Sequence, residues 1–191
     1  MDSITMNQAD IIGEVANICT GNAATALSLM VIRPTNITTP HVEVLNQEDA
    51  LAQPDRILVK VPYTKGLDGT NLMILKEQDA LIIANLMMGG NGDTTGMAFD
   101  EITISAISEA MNQMCGRIAT SMSEILHRPT DIGTPLINSK YKTTFIIPDE
   151  LCLGRDVVKV TFSLTIEGLI DSTVWQLYPV SIVKQILEQE G

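Results

Sequence analysis

The chain has 191 residues, of which 23 are acidic and 12 basic, giving a net charge of −11. Such a field repels nucleic acid and anionic lipid and favours a cationic partner surface, so nucleic-acid binding is set aside. At 45% hydrophobic but 4% aromatic, with ten Met, the chain is long enough for a sizeable core, and that core is expected to be aliphatic and adaptable. The first residues, MDSITMNQAD, lack the basic and apolar regions of a signal peptide. The longest apolar run, around 80–88, falls far short of a membrane span. Cys19, Cys115 and Cys152 are odd in number and two lie on apolar helix faces, which reads as buried reduced thiols. The expectation is a soluble cytoplasmic protein with no membrane insertion.

In chain order, residues 6–31 carry helical periodicity, loosened near Gly21 and ended by Pro34. TNITTP leads into an extended segment at His41–Leu45. RILVKVPYT, from Arg56, alternates and is β-branched enough for a strand; Gly66-Leu67-Asp68-Gly69 signals a turn, and TNLMIL is the return strand. EQDALIIANLMM, 77–88, is helical, and GGNGDTTG, 89–96, reads as a flexible linker. The order then recurs: helix 101–127, Pro129, an extended segment after Pro135, strand 156–166, a turn at Glu167-Gly168, strand 169–178 and a closing helix, Ser181–Gln189. Each unit is α-β-β-β-α. The expected fold class is α+β, a single domain of two pseudo-symmetric halves, 1–92 and 97–191. Joined edge to edge, they form one six-stranded, mostly antiparallel sheet crossed by two long helices.

The recurrence is visible residue by residue. Segments 10–40 and 105–135, overlaid at a constant offset, agree at 13 of 31 positions without a gap. Matches include Glu14 with Glu109, Asn17 with Asn112, Gly21 with Gly116, Thr25 with Thr120, Ser28 with Ser123 and Pro40 with Pro135. At about 100° per residue, Asp10, Glu14, Asn17, Gly21, Thr25 and Ser28 form one narrow polar stripe. Ile12, Val15, Cys19, Ala23, Ala26 and Met30 lie opposite. In the second copy Ser105, Glu109, Asn112, Gly116, Thr120 and Ser123 stand against Ile107, Ala110, Met114, Ile118 and Ile125. A merely solvated stripe is free to use Lys, Arg or Gln. This one keeps carboxylate, amide and glycine in register while the apolar positions drift, which favours a shared task.

Other motifs have bland readings. Gly90, Gly92 and Gly96 follow a helix instead of a strand, with the wrong spacing for a nucleotide fingerprint. His41 and His127 lack partners at metal-ligand spacing, and His127 suits a helix end, where a positive side chain is favoured. No G-x-S-x-G elbow is present, and nothing looks like a nucleophile with an activating base.

What remains is Glu-x-x-Asn, twice, each preceded by Asp10 or Ser105 and followed by Pro40 or Pro135. This pattern resembles the signature of the CheC/CheX/FliY chemotaxis phosphatases, which remove phosphate from the response regulator CheY. GNAATALS (21–28), EAMNQM (109–114), ATSMSEIL (119–126) and GLIDSTVWQLYP (168–179) look most like the flagellar-switch members of that family. Such members usually carry an N-terminal CheY-binding peptide and a C-terminal FliN-like domain. Neither is matched in these 191 residues, so one expectation is a fragment. The resemblance implies that Asn17 and Asn112 orient a water towards a phosphoaspartate, while Glu14 and Glu109 pair with a Lys of the response regulator. Asp10 and Ser105 would hold the helix start or touch the partner, and Gly21 and Gly116 would let its backbone approach. The resemblance also implies that the chain needs no metal of its own, because Mg²⁺ would come with the response regulator. Partners implied are phosphorylated CheY and other flagellar motor switch proteins, at the cytoplasmic face of the basal body. Two readings stay open: a protein phosphatase acting on phosphorylated CheY, and a non-catalytic CheY-binding module of the switch.

Overall fold

The structure, a computed structural model, describes residues 4–46, 55–151 and 156–190. Cys152 lies outside them.

Helix α1, Met6–Val31, opens with a capping box. Thr5 Oγ1 accepts from Gln8 N at 3.3 Å, and Gln8 Oε1 accepts from Thr5 N at 2.8 Å. Ile12, Val15, Ala16, Cys19, Ala23, Ala24, Leu27 and Val31 recur at helical spacing and are buried. The helix runs through Gly21 without a break, so the expected loosening there does not occur. Helix α3, Glu101–Ile125, starts from Asp100, whose Oδ1 accepts from Thr103 N at 2.8 Å. It buries Ile107, Ala110, Met111, Met114, Cys115, Ile118 and Met122.

Strands β1 (Thr35–Asn46), β2 (Arg56–Lys65), β3 (Thr70–Lys76), β4 (Asp131–Ile132), β5 (Leu136–Asn138), β6 (Asp156–Ile166) and β7 (Ile170–Pro179) build one sheet. Its order is β1-β6-β7-β3-β2-β4, with β5 also on β2, and every pairing is antiparallel. There are seven strands instead of six, because the second repeat's extended segment divides around Gly133–Pro135. β1 begins at Thr35, earlier than expected. Its register slips between Thr38↔Ser163 and His41↔Thr161, so Pro40 falls at a bulge, a place where a strand tolerates a residue without an N–H.

The halves are not simply set edge to edge. β1 of the first repeat pairs with β6 of the second, and β4 and β5 of the second pair with β2 of the first. Each repeat lends its first strand to the other's hairpin. The equivalent strands β3 and β7 meet antiparallel in the middle of the sheet.

Helices α2 (Glu77–Met87) and α4 (Val180–Glu190) join α1 and α3 on one face. There β2 presents Ile57, Val59, Val61 and Tyr63, and β6 presents Val158, Val160, Phe162, Leu164 and Ile166. Each such side chain contributes about 1.5–3 kcal/mol through its burial. A smaller cluster on the other face gathers Leu72, Ile74, Leu177 and Val157 under Phe145 and Leu151. Since both long helices cover the same face and β3 meets β7 antiparallel, the axis relating the repeats stands perpendicular to the sheet. α1 and α3 therefore run in opposite senses.

The connection at 89–96 is a tethered turn, not a free linker. Asn85 Oδ1 accepts from Gly92 N at 2.7 Å and Gln78 Nε2 donates to Thr94 Oγ1 at 2.9 Å. Among the described residues no helix is long and apolar enough to cross a membrane.

Candidate active site

The polar stripes of both repeats face outwards. Asp10, Glu14, Asn17 and Gly21 are exposed on α1; Ser105, Glu109 and Asn112 are exposed on α3, with Gly116 half-buried. The helices are tied together by Asn22 Nδ2, which donates to Ser121 Oγ at 2.7 Å. With the helices antiparallel about that tie, the two Glu–Asn pairs lie towards opposite ends, their asparagines roughly 20 Å apart by helical rise.

The matched polar positions divide into two kinds. Several have duties inside the fold. Thr25 and Thr120 donate back to the carbonyls of Gly21 and Gly116 at 3.3 and 3.0 Å. Ser28 donates to Arg33 O at 2.8 Å, and Ser123 accepts from Thr130 N at 2.8 Å, binding each helix end to the chain beyond it. Thr35 and Thr130 donate to the carbonyls of Arg33 and Arg128. Glu14, Asn17 and Asn112 do nothing comparable: their side chains make no hydrogen bond among the described residues. Among the described residues Glu109 accepts only from Gln113, its neighbour one turn on, at 2.9 Å. Asp10 and Ser105 do not hold the helix starts, since Thr5 and Asp100 take that role.

The glycines are equally idle within the chain. A Cβ added at Gly21 or Gly116 meets nothing within 4 Å. A mid-helix glycine is unfavourable by about 0.5–1 kcal/mol relative to alanine, and here no internal contact requires it.

Around the second pair the surface is concave. An open groove of about 820 Å³ is lined by Met87, Met88, Ile102, Ser105, Glu109 and Asn112. On the other side of Asn112 a second depression, about 590 Å³, runs past Gln113, Gly116, Arg117 and Thr120. Asn112 thus stands on the ridge between two hollows. Met87, Met88 and Gln113 did not stand out in the sequence. Met87 ends α2 and Met88 follows it, and only the fold brings them here, while Gln113 occupies a position where the repeats differ.

Alternative chemistries find little support. Burial pushes the thiols of Cys19 and Cys115 up to about 12, so neither is a thiolate near neutral pH. Among the described residues no three His, Cys, Asp or Glu side chains gather as a metal site. His127, past the end of α3, is exposed.

Comparison with known proteins gives these helices a context. The CheC-like family matches residues 8–44 and 102–139, the two segments that carry the Glu–Asn pairs. The chain is 40% identical over 194 residues to the Bacillus subtilis protein named flagellar motor switch phosphatase FliY, covering 98% of this chain and 50% of that one. It spans about half the length of that relative. Among solved structures, Thermotoga maritima FliY matches with a TM-score of 0.86 and 37% identity, covering 99% of this chain and 98% of that one. The FliM middle domain from H. pylori shares the fold alone, at a TM-score of 0.78 and 12% identity over 97% of this chain and 99% of that one. Nearly full coverage of a structure so similar in sequence, together with a family match on both repeats, settles membership: the chain belongs to the CheC-like family.

Proposed function

We propose that this chain is a phosphatase of the flagellar switch that hydrolyses the phosphoaspartate of phosphorylated CheY at the cytoplasmic face of the motor. One observation carries the reading: Glu and Asn recur, exposed, on both long helices, with no internal duty to explain Asn17, Asn112 or Glu14. The phosphatase name of the similar FliY supports it.

A phosphoaspartate is an acyl phosphate, already activated, so the helper needs neither nucleophile nor metal. It needs an amide that holds one water in line with the phosphorus. Asn17 or Asn112 takes that part. Water's oxygen bonds to phosphorus as the bond from phosphorus to the aspartyl oxygen breaks, releasing inorganic phosphate and the free carboxylate. Glu14 or Glu109, one turn away on the same face, pairs with a lysine of the response regulator and docks the helix. Gly21 and Gly116 leave room for the partner's backbone. Mg²⁺ arrives bound to the substrate protein.

The test is phosphate release from phosphorylated CheY with Mg²⁺ present. Losing one oriented polar group costs about a hundredfold at its site. Asn17→Ala and Asn112→Ala should therefore each leave a substantial fraction, and the double variant should approach CheY's own rate. A wild-type chain that binds phosphorylated CheY but does not hasten release would leave the non-catalytic binding module standing instead.

A further inference from the structure

The repeats keep Glu and Asn in register but differ at the residue after each Asn. In the second repeat Gln113 Nε2 donates to Glu109 Oε1 at 2.9 Å. The equivalent residue of the first repeat is Ile18, which is 54% exposed and has no donor to offer. On the reading that these helices dephosphorylate a response regulator, we infer that Gln113 is a positioning residue for Glu109. It makes the second site the tighter of the two, and Ile18 leaves the first one looser.

The physical basis is rotamer freedom. An exposed glutamate is among the side chains with most to lose when a partner orders it. Gln113, at i+4, restricts Glu109 before the partner arrives. A carboxylate offers about four acceptor positions, so one amide leaves room for an incoming ammonium group. The water-orienting amide belongs to Asn112, not Glu109. Gln113 therefore acts on association and leaves the chemical step alone. Its scale is that of an exposed i,i+4 pair, roughly twofold in KM.

Steady-state phosphate release from phosphorylated CheY decides it, with each site isolated in turn. In an Asn17→Ala background only the second site turns over. There Gln113→Ala should raise KM roughly twofold at constant kcat, and Gln113→Glu, which places like charges at i,i+4, should raise it further. In an Asn112→Ala background Ile18→Gln should lower KM of the first site by a similar factor. Gln113 and Ile18 are exposed, so the melting temperature should move by no more than about two degrees. An unchanged KM for Gln113→Ala, a fall confined to kcat, or a weaker first site after Ile18→Gln would each overturn the positioning role while the phosphatase reading stood. Full turnover by the Asn17→Ala, Asn112→Ala double variant would overturn both.

Discussion

A glycine in the middle of an exposed helix weakens the fold unless something outside the chain requires it. Gly21 and Gly116 are such residues, each one turn beyond a site asparagine, with empty space where a Cβ would stand. Gly21→Ala and Gly116→Ala should therefore each stabilise the folded chain by about 0.5–1 kcal/mol. Gly66 is a contrast: its φ is +84° and a Cβ would lie 2.5 Å from Pro129 O, so alanine there cannot be accommodated without a shift. If Gly21 and Gly116 are clearance for a partner's backbone, the stabilised variants should bind phosphorylated CheY more weakly. A thermal melt and a binding titration on the same samples check both signs. Higher stability with unchanged affinity would remove the clearance role.

The element ends carry strain that the repeat has kept. Ile32 follows α1 with φ at 54°, and His127, its equivalent beyond α3, has φ at 50°. A left-handed conformation costs an L-residue roughly 1–2 kcal/mol, more for a β-branched side chain than for histidine. Ile32 is 86% exposed, so glycine there sacrifices little buried surface. Ile32→Gly should raise stability by about 1 kcal/mol and His127→Gly by less, as read from denaturant midpoints. The elements themselves were legible because their periods are local: β2 alternates from Ile57 to Tyr63, and α1 buries one side from Ile12 to Val31. Three features were not. Gly21 reads as a loosening of the helix, yet packing on both sides of it carries the helix through. Pro40 reads as a strand boundary, but a bulge absorbs it. The bonded turn at 89–96 reads as a linker because its tether, Asn85, lies in the preceding helix. The polar stripe was legible because it occurs twice. Gln113 was hidden for the same reason, since comparing repeats draws the eye to what they share.

At the scale of the molecule, the exchange of first strands is the feature that no local pattern encodes. It decides what the repeat can do alone. By size, a half of 92 residues is large enough to fold. Topology argues otherwise. Without the second repeat, β1 loses β6, its pairing partner from Thr35↔Ile166 to Asn46↔Asp156, and α1 loses the flank it buries against α3. Without the first repeat, β5 loses β2 and β6 becomes an open edge, a ready template for association with other chains. We therefore expect residues 1–92 and 97–191, expressed apart, to melt without a cooperative transition and to aggregate. Mixed together from denaturant, they should recover one, because the pairings that cross between the repeats need no covalent link through the turn at 93–96. Circular dichroism melts of each fragment and of the mixture make the comparison. Cooperative unfolding of either fragment alone would mean that the strand exchange is incidental and that each repeat is its own folding unit.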